Sequence, residues 1–252
     1  MKWTIGMPSY NNYAEVFFTV QSLRMYHNLK DCEIVVVDNF GDDNLASFIK
    51  KNGGSTVRYE RYTEVTGVSA AKNCVFDVAK GENVLCIDSH ILIKPGTLDV
   101  DIPNDDFYQG PLLSSIGDRY GCEWLPEWRS QMWGIWAPYR YELPSDSWEI
   151  WAQGAGFFAC KKDSWLGFNK KFRGFGGETG YIQEKYRKVG RKVWCNPKMI
   201  WQHLFNNERG KVPYPLNVKD RIKNYVYGFE ELGLDTTEIY THFRTTKEKV
   251  FE

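Results

Sequence analysis

The 252-residue sequence has no net charge, since 32 lysines and arginines are matched by 32 aspartates and glutamates. No global field therefore draws the chain towards nucleic acid or an anionic membrane, although a local patch is still allowed. There is no uninterrupted apolar run approaching the roughly 20 residues that span a bilayer. The short apolar run before Pro8 in MKWTIGMPSY is too brief for a signal peptide, so a soluble, cytoplasmic protein is expected. C-x-x-C pairs are absent. Cys32, Cys74, Cys86, Cys122, Cys160 and Cys195 are scattered, several within apolar segments (VLCID, FFACK, VWCN), which favours buried reduced thiols over three disulfides. No repeat or low-complexity segment occurs. GMPSYN after the first apolar run is not the G-x-G-x-x-G that a dinucleotide-dependent oxidoreductase needs.

What is present over the first ninety residues is alternation. KWTIGM reads as a strand, Asn11 or Asn12 as the cap of a helix through AEVFFTVQSLRMYHN, and EIVVVD as a fully apolar strand. DDNLASFIKKNGG reads as a helix closed by Gly53 and Gly54, and STVRYER as a third strand. SAAKNCVFDVAKG is a helix with Ser69 as its expected N-cap and Gly81 as its stop, and NVLCID is the fourth strand. This spacing calls for an α/β fold with a Rossmann-like, mainly parallel sheet flanked by helices.

After Pro95 the texture changes. Short strands are expected in DFYQGPLLSS, then a long binding loop or lid over residues 120–151. Strands are expected at GAGFFAC, KVWCNP and MIWQH, and a helix from near Glu178. One domain is expected over 1–252: an alternating strand–helix half (1–90), a half with a Trp-rich loop (91–205), and a helical C-terminal tail (206–252).

In a parallel sheet, ligands gather beyond the carboxyl ends of the strands. Three polar signals fall there: MPSYN after the first strand, Asp38 after EIVVV, and Asp88-Ser89-His90 after NVLCI. Pro8 to Asn11 offer backbone groups, Tyr10 an aromatic face, and Asp38 an acceptor for a ribose or base edge; equally, Asp38 caps the turn DNFGDD. In an extended segment residues i and i+2 point the same way, so Asp88 and His90 can present oxygen and nitrogen to one ion, or form a satisfied turn. An ion held that way suits Mn²⁺ (or Mg²⁺) on a diphosphate.

TGVSAAKNCVFDVAKGENVLCIDSH, ending in Asp88-Ser89-His90, resembles the nucleotide-binding half of GT-A glycosyltransferases, and most closely the catalytic domain of the polypeptide N-acetylgalactosaminyltransferases. GAGFFACKK resembles that family's Ala-Gly-Gly-Leu-Phe segment, GFGGET its Trp-Gly-Gly-Glu-Asn motif, and NPKMIWQHLF the segment ending in Val-Gly-His. The order is kept over roughly residues 3–206. The resemblance implies a GT-A fold, a UDP-sugar donor, and metal ligation by Asp88, His90 and His203. It places Asp38, Gly67, Lys72 and Ser89 at the nucleotide, with Pro8, Ser9 and Tyr10. Gln153, Ala155, Gly156 and Gly177 fall at the donor sugar, and Asp88 and Glu178 in the catalytic centre. The chain departs from the pattern at Ile91-Leu92, which replace Cys-Glu, at Thr179, which replaces Asn, and at Asn206, which replaces Arg. No membrane anchor or trailing lectin domain is expected, so sugar identity and acceptor do not follow from the resemblance.

The expected reaction moves a hexose or N-acetylhexosamine onto a hydroxyl of a hydroxymethylated DNA base, a protein or a glycan. Inverting relatives place an Asp immediately after the Glu; here the pair is Glu178-Thr179, which favours retention. Alternatives are inversion with Glu178 as base, or a nucleotide-sugar-binding module without turnover. Trp124, Trp128, Trp133, Trp136, Trp148 and Trp151 read either as core or as a stacking surface, with Trp151 on the donor side and the loop towards the acceptor. Residues 161–192, with ten basic and three acidic side chains, read as a solvated face or as a patch for phosphates.

Overall fold

A computed structural model describes residues 1–204 and 213–252; Asn206 and the first residues of the expected tail lie outside the described residues. The alternation over the first ninety residues is present: β1 (Trp3–Ser9), α1 (Tyr13–Tyr26), β2 (Cys32–Asp38), α2 (Asp43–Asn52), β3 (Val57–Arg61), α3 (Val68–Val78) and β4 (Asn83–Ile87). There follow β5 (Ile91–Ile93), β6 (Phe107–Gln109), β7 (Leu112–Leu113), β8 (Tyr120–Gly121), β9 (Trp124–Arg129), β10 (Met132–Trp136), β11 (Tyr139–Arg140), β12 (Trp148–Glu149) and β13 (Phe157–Lys161). The chain continues through α4 (Tyr181–Lys188), β14 (Val193–Cys195), β15 (Trp201–His203), α5 (Val218–Leu232), α6 (Thr237–Phe243) and α7 (Lys247–Phe251).

The described residues build a central sheet in the order β12-β14-β6-β13-β4-β1-β2-β3. β3, β2, β1 and β4 are parallel, β6 and β14 run with them, and β13 and β12 are reversed. The period of two sorts its side chains. Ile34 and Val36 join Val16, Val20, Leu45 and Phe48 of α1 and α2, whereas Val35 and Val37 join Ala71 and Val75 of α3. Each such fully buried Val or Ile removes surface worth about 1.5–3 kcal/mol. Gly6 lets α3 approach β1, because a Cβ there would sit 1.9 Å from Val75 Cγ1. A smaller sheet, β11-β8-β7-β15-β5, brings β15 antiparallel to β5, which pairs His203 with Ile91, the residue after His90.

Three local expectations are corrected. α3 is capped by Gly67 and not by Ser69, because Ala71 N–H donates to Gly67 O at 3.0 Å and the helical turns begin two residues sooner. α4 begins at Tyr181 and not near Glu178, since Gly176, Gly177 and Gly180 have φ of 103°, 96° and 80° and hold the segment in a left-handed turn. Residues 120–151 are not a long loop. β9 and β10 form an antiparallel hairpin, and Trp128, Trp133 and Trp151 pack on Tyr225, Phe229 and Phe243 of α5 and α6.

Candidate active site

The C-terminal ends of β1 and β4 open onto a cavity of about 740 Å³. β4 ends at Ile87, and Asp88, Ser89 and His90 turn across its mouth before β5. The ligand atoms of Asp88, His90 and His203 all lie within 4.8 Å of one another, with His203 Nε2 3.8 Å from Asp88 Oδ2 and the two imidazole rings nearly perpendicular, 4.6 Å apart. One carboxylate and two imidazoles converging in this way fit a divalent cation. The close approach depends on Gly156, where a Cβ would lie 2.7 Å from Asp88 Oδ2.

Lys72, on α3, is 2% exposed and places Nζ 3.2 Å from Asp88 Oδ1 while also donating to Ala155 O. Burial works against the charge on both groups. The Lys72 ammonium, with the His203 and His90 imidazoles, nevertheless holds the Asp88 carboxyl well below the usual carboxylate range, and Asp88 in turn holds the lysine pKa above its ordinary value. Burial lowers the pKa of His90, against the opposing pull of Asp88, and so favours the neutral imidazole that a metal requires. Burial raises the pKa of Glu178, with Lys72 opposing.

The fold brings most of the expected residues together. Pro8, Tyr10, Lys72, Asp88, Ser89, His90, Ala155, Gly156, Glu178 and His203 line the cavity. Others sit behind it. Ser9 is buried and donates to Asn12 Oδ1 at 2.6 Å, and Asn12 donates in turn to Ser89 Oγ, so Asn12 ties the two strand ends together. Asp38 is fully buried and caps the turn: Oδ1 accepts from Phe40 N and Gly41 N, each at 2.9 Å, and Oδ2 from Asp42 N and Tyr59 Oη at 2.6 and 2.7 Å. Gly67 pairs with Gly174, Gly177 abuts Asn224, and Gln153 is wholly buried. Trp151 lies against Trp133, 5.0 Å away edge to face. Of the six tryptophans in the hairpin region, Trp124 and Trp136 reach the cavity, together with Met132.

Several lining residues were not among the expected site residues. Tyr214, between the described segments' boundary and α5, is 7% exposed and stacks on Tyr10 at 4.5 Å. Glu15, Phe175, Thr179 and Trp201 also face the cavity. Phe175 and Thr179 lie in GFGGET and Trp201 in NPKMIWQHLF, whereas Glu15, in the first turn of α1, and Tyr214 belong to no motif. The basic run at 161–192 is partly engaged by the fold: Lys162 donates to Ala79 O, Arg191 to Ser164 O, Arg187 pairs with Glu184, Lys185 with Glu231 and Lys192 with Glu149, while Lys170, Lys171, Arg173, Lys188 and Lys192 stay exposed. All six cysteines are free, and no described helix is long and apolar enough to cross a membrane.

Residues 4–164 match the model of glycosyl transferase family 2. No curated protein matches the sequence. Among solved structures, the chain is similar to GalNAc-T7 crystallised with UDP, GalNAc and Mn²⁺, with a TM-score of 0.71 at 16% identity, over 100% of this chain and 56% of that one. It is also similar to residues 1–349 of TarS from S. aureus in complex with UDP-GlcNAc, with a TM-score of 0.61 at 14% identity, over 96% of this chain and 70% of that one. At these identities the likeness is one of fold.

Proposed function

The chain belongs to glycosyl transferase family 2 and has the GT-A fold, and from this premise we propose that it moves a hexose or N-acetylhexosamine from a UDP-sugar to a hydroxyl acceptor with retention of configuration. The observation that carries the proposal is the convergence of Asp88, His90 and His203 within 4.8 Å at the end of β4, in the cavity that Lys72 and Glu178 also line. That GalNAc-T7 was crystallised with UDP and Mn²⁺, and TarS with UDP-GlcNAc, supports a UDP-sugar donor. Six free cysteines, five of them buried, agree with a reducing, cytoplasmic setting.

Asp88, His90 and His203 would hold Mn²⁺ in preference to Mg²⁺, given two imidazoles. When bound, the ion supplies positive charge for the diphosphate leaving group. Lys72, fixed beside Asp88, adds a second positive charge. Tyr10 offers its face to the base, and Glu178 accepts from the sugar hydroxyls. The bond from the anomeric carbon to the diphosphate breaks, the acceptor oxygen bonds to that carbon, and its proton passes to the departing phosphate oxygen. Met132 and Trp136 on the hairpin form the wall on which the acceptor lies. Inversion remains the second reading, favoured by one observation: burial raises the pKa of Glu178 as a general base would need.

A thermal-shift screen of nucleoside diphosphates and nucleotide sugars, with and without Mn²⁺, tests the proposal. A Mn²⁺-dependent shift with uridine nucleotides and measurable UDP-sugar hydrolysis are expected. Absence of hydrolysis would favour a binding module, and a product of inverted anomeric configuration by NMR would overturn retention.

A further inference from the structure

Behind the cavity wall, three fully buried glutamines meet: Gln109 at the end of β6, Gln153 ahead of the glycine-flanked loop 154–156, and Gln183 in the first turn of α4. Gln109 Oε1 accepts from Gln183 Nε2 at 3.0 Å and from Gln153 N at 3.1 Å, while its Nε2 donates to Gly154 O at 3.1 Å. Gln183 Nε2 also donates to Gln153 O at 3.0 Å, and its Oε1 accepts from Gly180 N at 2.8 Å. Gln153 Oε1 has no such partner, and its Nε2 donates away from the loop, to Cys122 O.

The rest of the loop is tied to groups that line the cavity. Thr179 Oγ1 accepts from Ala155 N at 3.2 Å, Lys72 Nζ donates to Ala155 O, and Asp88 N donates to Gly156 O at 2.8 Å. Every backbone carbonyl from 153 to 156 therefore accepts a hydrogen bond. Two come from the glutamines behind the wall and two from Lys72 and Asp88 in front of it. A buried amide left unpaired forfeits its hydration without replacement, whereas one that is paired is held to a single geometry. Apolar side chains would fill the same space without setting the register of this loop.

We infer that Gln109 and Gln183 are positioning residues for the transfer: they clamp residues 153–156 from behind and thereby set where Lys72 and Asp88 stand. The inference rests on the glycosyl-transfer reading for its catalytic consequence, but the clamp itself is a property of the fold.

The test compares Gln183→Met and Gln109→Met with the unaltered protein, at a temperature where circular dichroism shows each variant folded. Gln183→Glu, which keeps the shape but sets a carboxylate against Gln109 Oε1 and Gln153 O, stands in if a methionine variant does not fold. Amide hydrogen exchange in peptides covering residues 150–158 should quicken at least tenfold, with β1 to β3 unchanged. Mn²⁺ affinity by calorimetry without nucleotide, and kcat for UDP-sugar hydrolysis, should each fall about tenfold, the low end of the loss for groups bonded directly to a ligand, because the glutamines act on Asp88 through the loop. A folded variant within twofold of the unaltered protein in both Mn²⁺ affinity and kcat would overturn the inference and leave the glutamines purely structural. If the unaltered protein hydrolyses no nucleotide sugar, the glycosyl-transfer reading fails, while exchange and Mn²⁺ affinity still decide whether the glutamines hold the loop and Asp88.

Discussion

Lys72 Nζ lies 3.2 Å from Asp88 Oδ1, the lysine side chain 2% exposed and the aspartate 25%. The pair joins α3 to the turn after β4, and removing one partner strands a buried charge. Asp88→Asn should cost about 2 kcal/mol at pH 7, below the 3–5 kcal/mol of a wholly buried pair because Asp88 is partly solvated. The folded pKa of Asp88 lies below the unfolded value of about 3.9, so its stabilisation is complete above that value and is lost as pH falls through it. Urea midpoints measured in EDTA should show a gap between the two proteins that narrows below pH 4. A gap independent of pH would refute the assignment.

His90→Ala and His203→Ala should each weaken Mn²⁺ binding by well over the roughly tenfold that even an outer-shell partner contributes. Calorimetry with Mn²⁺ alone measures this. If His203→Ala binds Mn²⁺ as the unaltered protein does, the ion is held by a different set of ligands.

Two glycines two residues apart should behave differently. A Cβ on Gly156 would lie 2.7 Å from Asp88 Oδ2, whereas one on Gly154 would meet Trp124 and Trp136 at 3.4 and 3.5 Å, which is tolerable contact. Gly156→Ala should therefore lower Mn²⁺ affinity about tenfold or more by displacing a ligand, and Gly154→Ala should leave it unchanged. Similar affinities for both variants would contradict the packing described.

Deleting the tryptophan-rich hairpin would remove Trp133 and Trp128 from beneath α5 and unfold more than a binding surface. Met132→Ala and Trp136→Ala are the sharper changes. Each should reduce transfer to an acceptor more than hydrolysis of the donor, by about 1 kcal/mol of lost apolar or aromatic contact, measured as kcat/KM for the two reactions. Equal losses would argue against an acceptor role.

Burial pushes the Cys86 and Cys160 thiols up to about 12, and both are fully buried. In the native protein at pH 8, a thiol reagent should find at most the half-buried Cys32 quickly, and all six after denaturation. Rapid labelling of Cys86 or Cys160 would show that the β4–β13 core opens.

Period and punctuation made the first half legible. EIVVVD and NVLCID are apolar on both faces because helices cover both, so the parallel sheet followed from their pattern alone. The second half was harder to read. Pro126 lies within β9 and Gly134 interrupts β10 beside a register shift, and both erase the alternation that marks a hairpin. The tryptophans divided between core and cavity because partners on α5 and α6, about a hundred residues away, decide which ring is covered.

The sequence by itself determined the alternating α/β order, the strand-end placement of Asp88 and His90, and the small residues at 155 and 156, because each follows from local periodicity or side-chain size. Tertiary structure brought His203 to them through the β15–β5 pairing, a partnership that the resemblance had signalled and no local pattern shows. It also set Tyr214, Met132 and Trp136 at the cavity, through contacts between segments far apart in the chain. Such contacts leave no local pattern because they depend on where whole elements pack.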